Sequence, residues 1–168
     1  MLTTDQKGAI AETAIALAAI KLGIGVSRPL GDERYDLIFD VGAGLIRVQC
    51  KWACRYGDVI IARCYSSRRT ADGLRRRVYR DDEVDAFAAY CAEFDRCYFL
   101  PIECMPPSGT VQLRLEKSRN NQRSGVRWAS TYEFAAKLGR QQGAIAQLGE
   151  RRDGIAKVAG SSPAGSIA

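Results

Sequence analysis

The stretch LIRVQCKWA, residues 45–53, decides how the chain is read. Ile46, Val48, Cys50 and Trp52 alternate with polar residues as in a half-buried strand. Residues two apart in a strand share a face, so Gln49 and Lys51 project together while Cys50 points away. Upstream, RYDLIFDV (34–41) is a second alternating run, with Tyr35, Leu37 and Phe39 facing one way and Asp36 the other. The intervening GAG (42–44) is a hairpin signal. A bend in that hairpin brings Asp36 near Gln49 and Lys51. That polar face is either simply wet, or its side chains meet around something.

Working outward, TTDQKGAIAETAIALAAIKLG (3–23) reads as an opening helix. Thr3 or Thr4 caps it, Asp5 suits its N-terminal dipole and Gly23 stops it. Ile10, Ala14, Leu17, Ala18 and Lys21 are neighbours at helical spacing, and the alanine density implies close packing on a sheet. Glu12, on this helix, could complete the polar cluster. GVSRPL (25–30) is a short strand and DVIIARCY (58–65) another; SSRRTADGLRRRVYR (66–80) lacks periodicity and reads as a loop. DDEVDAFAAYCAEFD (81–95) reads as a second helix, acidic in its first turn, with Val84, Phe87, Ala88 and Cys91 along one stripe. RCYFLPI (96–102) and TVQLRLE (110–116) are strands, and GVRWASTYEFAAKLG (125–139) is an irregular segment ending in a short helix. The expected class is α/β, a mixed β-sheet flanked by helices.

The 168 residues suit one domain with a tail, and the 46% hydrophobic content argues against wholesale disorder. The domain is assigned to residues 1–138 and the tail, expected to be disordered, to 139–168. AQLGER (146–151) and GSSP (160–163) can be encoded by codons that spell D-arm and T-arm sequences of a tRNA gene, in order. The tail therefore reads as a frame running into such a gene, against the alternative of a genuine flexible terminus. AIALAAI (14–20) is too short to span a bilayer and follows acidic rather than basic residues, so neither a membrane span nor a secretory signal is indicated. The six cysteines include no C-x-x-C pair and the chain has no histidine, which disfavours a zinc site. Reduced thiols in the cytoplasm are expected instead.

A carboxylate, an amide oxygen and a backbone carbonyl make a hard-oxygen site, suited to Mg2+ rather than zinc. An adjacent lysine can orient water or offset charge developing on a phosphate oxygen. Taken singly, an aspartate at a strand–loop junction is usually a turn residue, and a lysine on a strand an edge protector. Their order in one hairpin is less easily accidental.

With these residues the sequence resembles the PD-(D/E)XK nuclease superfamily, and more narrowly its group I intron-associated homing endonucleases. The resemblance covers residues 3–134 and rests on D-x12-Q-x-K (Asp36, Gln49, Lys51) and K-G-x-I-A-E (Lys7 to Glu12). RYDLIFD, IRVQCK, AAYCAEFDRCYFLPIE and NNQRSGVRWA extend it. It implies a restriction-endonuclease-like core in which Asp36, Gln49, the carbonyl of Cys50 and Glu12 hold Mg2+. Lys51 is the motif lysine. Gln49 stands where the superfamily usually has Asp or Glu, which removes a charge, and Tyr35 replaces a proline that carries no chemistry. It further implies cleavage of double-stranded DNA by a homo-oligomer, a dimer or tetramer, with a tRNA gene as a plausible target.

The net charge of +6 fits a polyanionic partner. Arg68, Arg69, Arg75, Arg76, Arg77 and Arg80 stand against one acidic residue, Asp72, in a segment suited to phosphate contacts. Arg123 and Arg127 lie in a second stretch rich in the Asn, Gln and Arg that read base edges. Two alternatives stay open. One is a non-catalytic DNA-binding protein on a degenerate nuclease scaffold, the other a resolvase of branched DNA.

Overall fold

The computed structural model describes residues 1–116 and 125–139; the tail from residue 140 and Arg123 lie outside them. Among the described residues the order is α1 (Thr4–Lys21), β1 (Gly25–Ser27), β2 (Leu37–Asp40), β3 (Leu45–Tyr56), β4 (Val59–Arg63), β5 (Tyr65–Thr70) and β6 (Gly73–Val78), followed by β7 (Ala86–Cys91), β8 (Arg96–Pro101), β9 (Thr110–Arg114), α2 (Ala129–Tyr132) and α3 (Phe134–Lys137). A seven-stranded mixed sheet is built around β3, and β5 and β6 form a separate two-stranded ribbon. The α/β class with a mixed sheet stands.

Helix α1 starts where its sequence chemistry requires. Thr3 Oγ1 accepts the Gln6 N–H at 3.1 Å and Gln6 Oε1 accepts the Thr3 N–H at 2.9 Å, a reciprocal capping box. It ends at Gly23, whose φ of 74° lets the Gly23 and Ile24 N–H groups fold back onto the carbonyls of Ile20 and Ala19. The buried stripe is Ala11, Ile15 and Ala19, whereas Ile10, Leu17 and Ile20 are 38%, 51% and 57% exposed. The expected stripe is thus displaced, because a helix apolar on nearly all sides gives periodicity little to choose between. Ile15, Leu37, Phe39, Val48 and Ala88 fill the layer between α1 and the sheet, with Phe134 closing it. Ile60, Phe87, Ala89, Tyr98, Leu100 and Leu113 form a second cluster, and Tyr35, ahead of β2, packs there rather than with Leu37 and Phe39.

Two elements correct the sequence reading. Residues 81–95 are not a helix: Ala86–Cys91 is a strand, buried along its whole length and parallel to β3. A central strand covered on both faces reads as a continuous apolar run, which satisfies helical spacing by default. The acidic residues ahead of it serve ion pairs instead of a helix dipole: Asp85 holds Arg47 at 2.7 Å, Asp82 holds Arg80, and Glu83 pairs with Arg34 and Arg77. Residues 66–80 are not a loop for most of their length but a hairpin turning at Ala71 and Asp72, with Gly73 at φ 115°. Neither of its faces is buried, so no apolar alternation betrays it.

All six cysteines are free thiols. Burial pushes the Cys64 and Cys97 thiols up to about 12, so they behave as small hydrophobes. No helix among the described residues is long and apolar enough to cross a membrane.

Candidate active site

The site arises from a fork in the sheet. On one edge of β3, Leu45 to Val48 pair with β2 and Ala53 to Tyr56 with β4. On the other edge, Val48 to Ala53 pair with β7 without interruption. Between the departing β2 and the arriving β4, residues 49–52 of β3 have no strand partner on the first edge. A backbone N–H stranded inside a sheet costs free energy unless a side chain or water takes it.

Asp36 fills that gap. Its own N–H donates to the Val48 carbonyl at 2.9 Å, anchoring it one residue before β2. Its Oδ2 accepts the Cys50 N–H at 2.7 Å and also a hydrogen bond from Gln49 Nε2. Gln49 is 8% exposed and is the buried polar residue of the described core. Burial holds the Asp36 carboxyl above its ordinary value; the Cys50 N–H opposes this, Glu12's charge adds to it, and Lys51 and Arg28 oppose it. The Asp36 carboxyl thus sits in an environment that resists its charge, and groups perturbed in this way are frequent at functional sites.

Lys51 projects to the face opposite α1. Its Nζ donates to Tyr79 Oη at 3.3 Å and lies 5.0 Å from the centre of that ring. The Arg34 guanidinium lies 4.1 Å from the same ring, and Tyr79 packs edge-on to Phe87. Arg34 Nε is 3.4 Å from Glu83, which also takes the Arg80 N–H at 3.1 Å and pairs with Arg77. Glu12 approaches from the α1 side and pairs with Arg28 at 2.9 Å.

The structure thus joins Asp36, Gln49 and the Cys50 backbone directly, sets Lys51 beside them, and brings Glu12 close enough to act on Asp36 through its charge. No group of three His, Cys, Asp or Glu that could hold a metal occurs among the described residues. The candidate donors are instead two carboxylates, an amide oxygen and a main-chain carbonyl, a set whose chemistry fits a hard cation. The Cys50 thiol is no part of it: it joins the cluster under α1, where burial first, then the charges of Asp36 and Glu12, push its pKa up. Gln49 presents its N–H to Asp36, so offering its oxygen to a cation requires the amide to turn over.

Arg28, Arg34, Tyr79 and Glu83 were missed by sequence reasoning. Arg34 lies within the quoted RYDLIFD, but nothing in its spacing singles it out, and Tyr79 was hidden in the segment read as loop. Of the arginines, Arg68, Arg69, Arg75, Arg76 and Arg77 are exposed on the β5–β6 ribbon. Arg75 pairs with Asp72 at 3.4 Å, Arg80 with Asp82 at 2.7 Å, and Arg76 lies 4.9 Å from the Tyr65 ring centre. Arg127 is half-buried and donates to the Cys104 carbonyl at 3.1 Å.

A family model described as PD-(D/E)XK endonuclease matches residues 2–135. Comparison with curated protein sequences gives no match. Among solved structures, the fold is similar to "a bacterial homing endonuclease", I-Ssp6803I, with a TM-score of 0.67 and 28% identity over 87% of this chain and 99% of that one.

Proposed function

Because the chain belongs to the PD-(D/E)XK endonuclease family, we propose that it is a Mg2+-dependent homing-type endonuclease that hydrolyses both strands of a DNA duplex. The observation that carries this reading is the fork: Asp36 and Gln49 converge on the Cys50 backbone with Lys51 alongside. Asp36, the amide oxygen of Gln49, the Cys50 carbonyl and Glu12 would hold the cation. When bound, Mg2+ supplies Lewis-acid polarisation of the phosphate and lowers the pKa of water. Asp36 is held in place by the Cys50 N–H at 2.7 Å, and entry of the cation requires the Gln49 amide to let go of it and turn over. Lys51, braced on Tyr79, places an ammonium where charge develops on a phosphate oxygen. The ribbon arginines, with Arg80, bind the duplex. Arg123 and Arg127 are candidates for the same role.

The homing assignment rests on the likeness to I-Ssp6803I over nearly all of that chain. Two strands must be cut and one domain offers one site, so the working form is a homo-oligomer. A tRNA gene is the first target to test, since AQLGER (146–151) and GSSP (160–163) can be encoded by tRNA-gene sequence. The site of action is the cytoplasm. A second reading, a DNA-binding protein without catalysis, draws support from the Gln49 amide donating to Asp36 where a second carboxylate would attract a cation.

The test is cleavage of an uninterrupted alanine-type tRNA gene in Mg2+ and in EDTA, with Asp36→Ala and Lys51→Ala beside the wild type. Metal-dependent cutting lost in both variants, with DNA affinity retained, supports the nuclease. Tight, salt-sensitive binding without cutting supports the second reading.

A further inference from the structure

The β5–β6 ribbon is the most exposed regular element of the described fold: from Ser67 to Val78 every residue is open to solvent. Its register divides the arginines between two faces. Arg68 is opposite Arg75 and Ser66 opposite Arg77, so Arg68, Arg75 and Arg77 share one face. Tyr65 opposite Val78, Ser67 opposite Arg76 and Arg69 opposite Leu74 form the other. Like charges directly opposite destabilise a hairpin. The first face tolerates this with Asp72 at the exposed tip and Glu83 at the base as its acids. Those acids pair with Arg75 and Arg77, which leaves Arg68 without an ion-pair partner among the described residues.

That face continues into the active site. Residues 75, 77 and 79 alternate to one side. Arg77 and Tyr79 both meet Arg34, the former through Glu83 and the latter by stacking. Tyr79 Oη in turn touches Lys51 Nζ at 3.3 Å. The opposite face, by contrast, turns Tyr65 toward Gly109, where a Cβ would lie 3.4 Å from the Tyr65 side chain. A two-stranded antiparallel ribbon fits the major groove, which is about 12 Å wide. Two residues of strand advance about 7 Å and four about 13 Å. At about 3.4 Å per base step, Arg77 stands roughly two, and Arg68 and Arg75 roughly four, base pairs from a phosphate held at Lys51.

We propose that the ribbon enters the major groove beside the cut with Arg68 and Arg75 reading base edges, while Arg69 and Arg76, on the other face, reach only the backbone. The proposal rests on the endonuclease reading. It names the specificity-determining residues of that site and the positions they read, on the acceptor edge of guanine that arginine pairs bidentately.

The probe is a plasmid library carrying a randomised duplex, with cut sequences read from the ends produced in Mg2+. A parallel selection by binding, using Lys51→Ala in EDTA, reads the same preferences without cleavage. Wild type is expected to show a guanine preference about three to five base pairs from the cut. Arg68→Ala and Arg75→Ala each reduce discrimination there by about tenfold or more. Arg69→Ala and Arg76→Ala leave the profile intact, weaken binding evenly across sequences, and lower the salt slope by about one. An unchanged profile in Arg68→Ala and Arg75→Ala, or loss of the same positions in Arg69→Ala and Arg76→Ala, overturns the proposal. Selective binding without any cutting by wild type overturns the endonuclease reading alone, and the binding profiles then decide the ribbon's role. Wild type that neither cuts nor selects a sequence overturns both.

Discussion

Replacing Gln49 with glutamate tests what an amide does at this position beside Asp36. In the wild type the Gln49 amide donates to Asp36 Oδ2 inside the fork. Glutamate removes that charge-assisted bond, at a cost of about 1.5–3 kcal/mol. It also sets two carboxylates side by side, a repulsion of about 4 kcal/mol at 4 Å and an effective dielectric of 20. Asp36 is already held above its ordinary value by burial, so it relieves part of that repulsion by taking up a proton. A net loss of about 3 kcal/mol is expected, and at about 3 °C per kcal/mol the melting temperature in EDTA falls by about 9 °C. Mg2+ should reverse this: a cation at 100 times its Kd restores about 2.7 kcal/mol, or about 8 °C. Wild type should gain less, because its amide must first leave Asp36. Differential scanning fluorimetry in EDTA and in a Mg2+ titration reads both numbers without any DNA. A variant that melts within about 2 °C of wild type in EDTA would show that the amide does not hold Asp36. Equal Mg2+ shifts in the two proteins would remove Gln49 from the donor set.

Tyr79→Phe keeps the ring beside Arg34 and deletes the hydroxyl that meets Lys51 at 3.3 Å. Single-turnover cleavage should slow about tenfold, equivalent to about 1.4 kcal/mol, and show no further loss in a Lys51→Ala background; an equal effect in both backgrounds would make Tyr79 a packing residue only. For Asp36→Asn, the sign follows from burial. A carboxyl whose folded-state pKa is raised contributes stability that is present below its ordinary range and lost as pH rises through the raised value. The variant should therefore melt higher than wild type at pH 7.5 in EDTA, lack that downward slope, and cut nothing; parallel melting profiles across pH would contradict this.

The parts of the fold legible in the sequence are those where one local rule acts alone. Thr3 and Gly23, read as cap and stop, mark the ends of α1 because caps are decided within a turn. The sequence alternation of 45–53 gave Cys50 and Lys51 opposite faces, Cys50 in the cluster under α1 and Lys51 on Tyr79, although Val48, Gln49 and Cys50 are all buried. Where two faces are equivalent, the signal vanishes. Ala86 to Cys91 is buried on both faces and the ribbon on neither, so one was read as helix and the other as loop. The candidate site was legible through its spacing of Asp36, Gln49 and Lys51. Its supporting residues were not, because Arg34, Tyr79 and Glu83 meet only when the ribbon's base packs against β3 at Lys51.

The fork explains why so small a set of residues can make a site at all. In an unbroken ladder the N–H and carbonyl of Cys50 would both be spent on a neighbouring strand. Here β2 and β4 share one edge of a twelve-residue strand and leave a gap between Val48 and Ala53. Asp36 takes the freed N–H at 2.7 Å, which fixes its carboxylate against the backbone without a dedicated loop. The carbonyl on that edge is left with a weak 3.5 Å approach from the Gln49 amide, a partner readily given up. Local rules are broken at just these positions, with a buried amide and a carboxyl held above its ordinary value. Such violations concentrate where function, not folding, selects the residue. Closing the fork with a strand partner would thus stabilise the sheet and, by occupying the Cys50 carbonyl, remove it from the candidate donors.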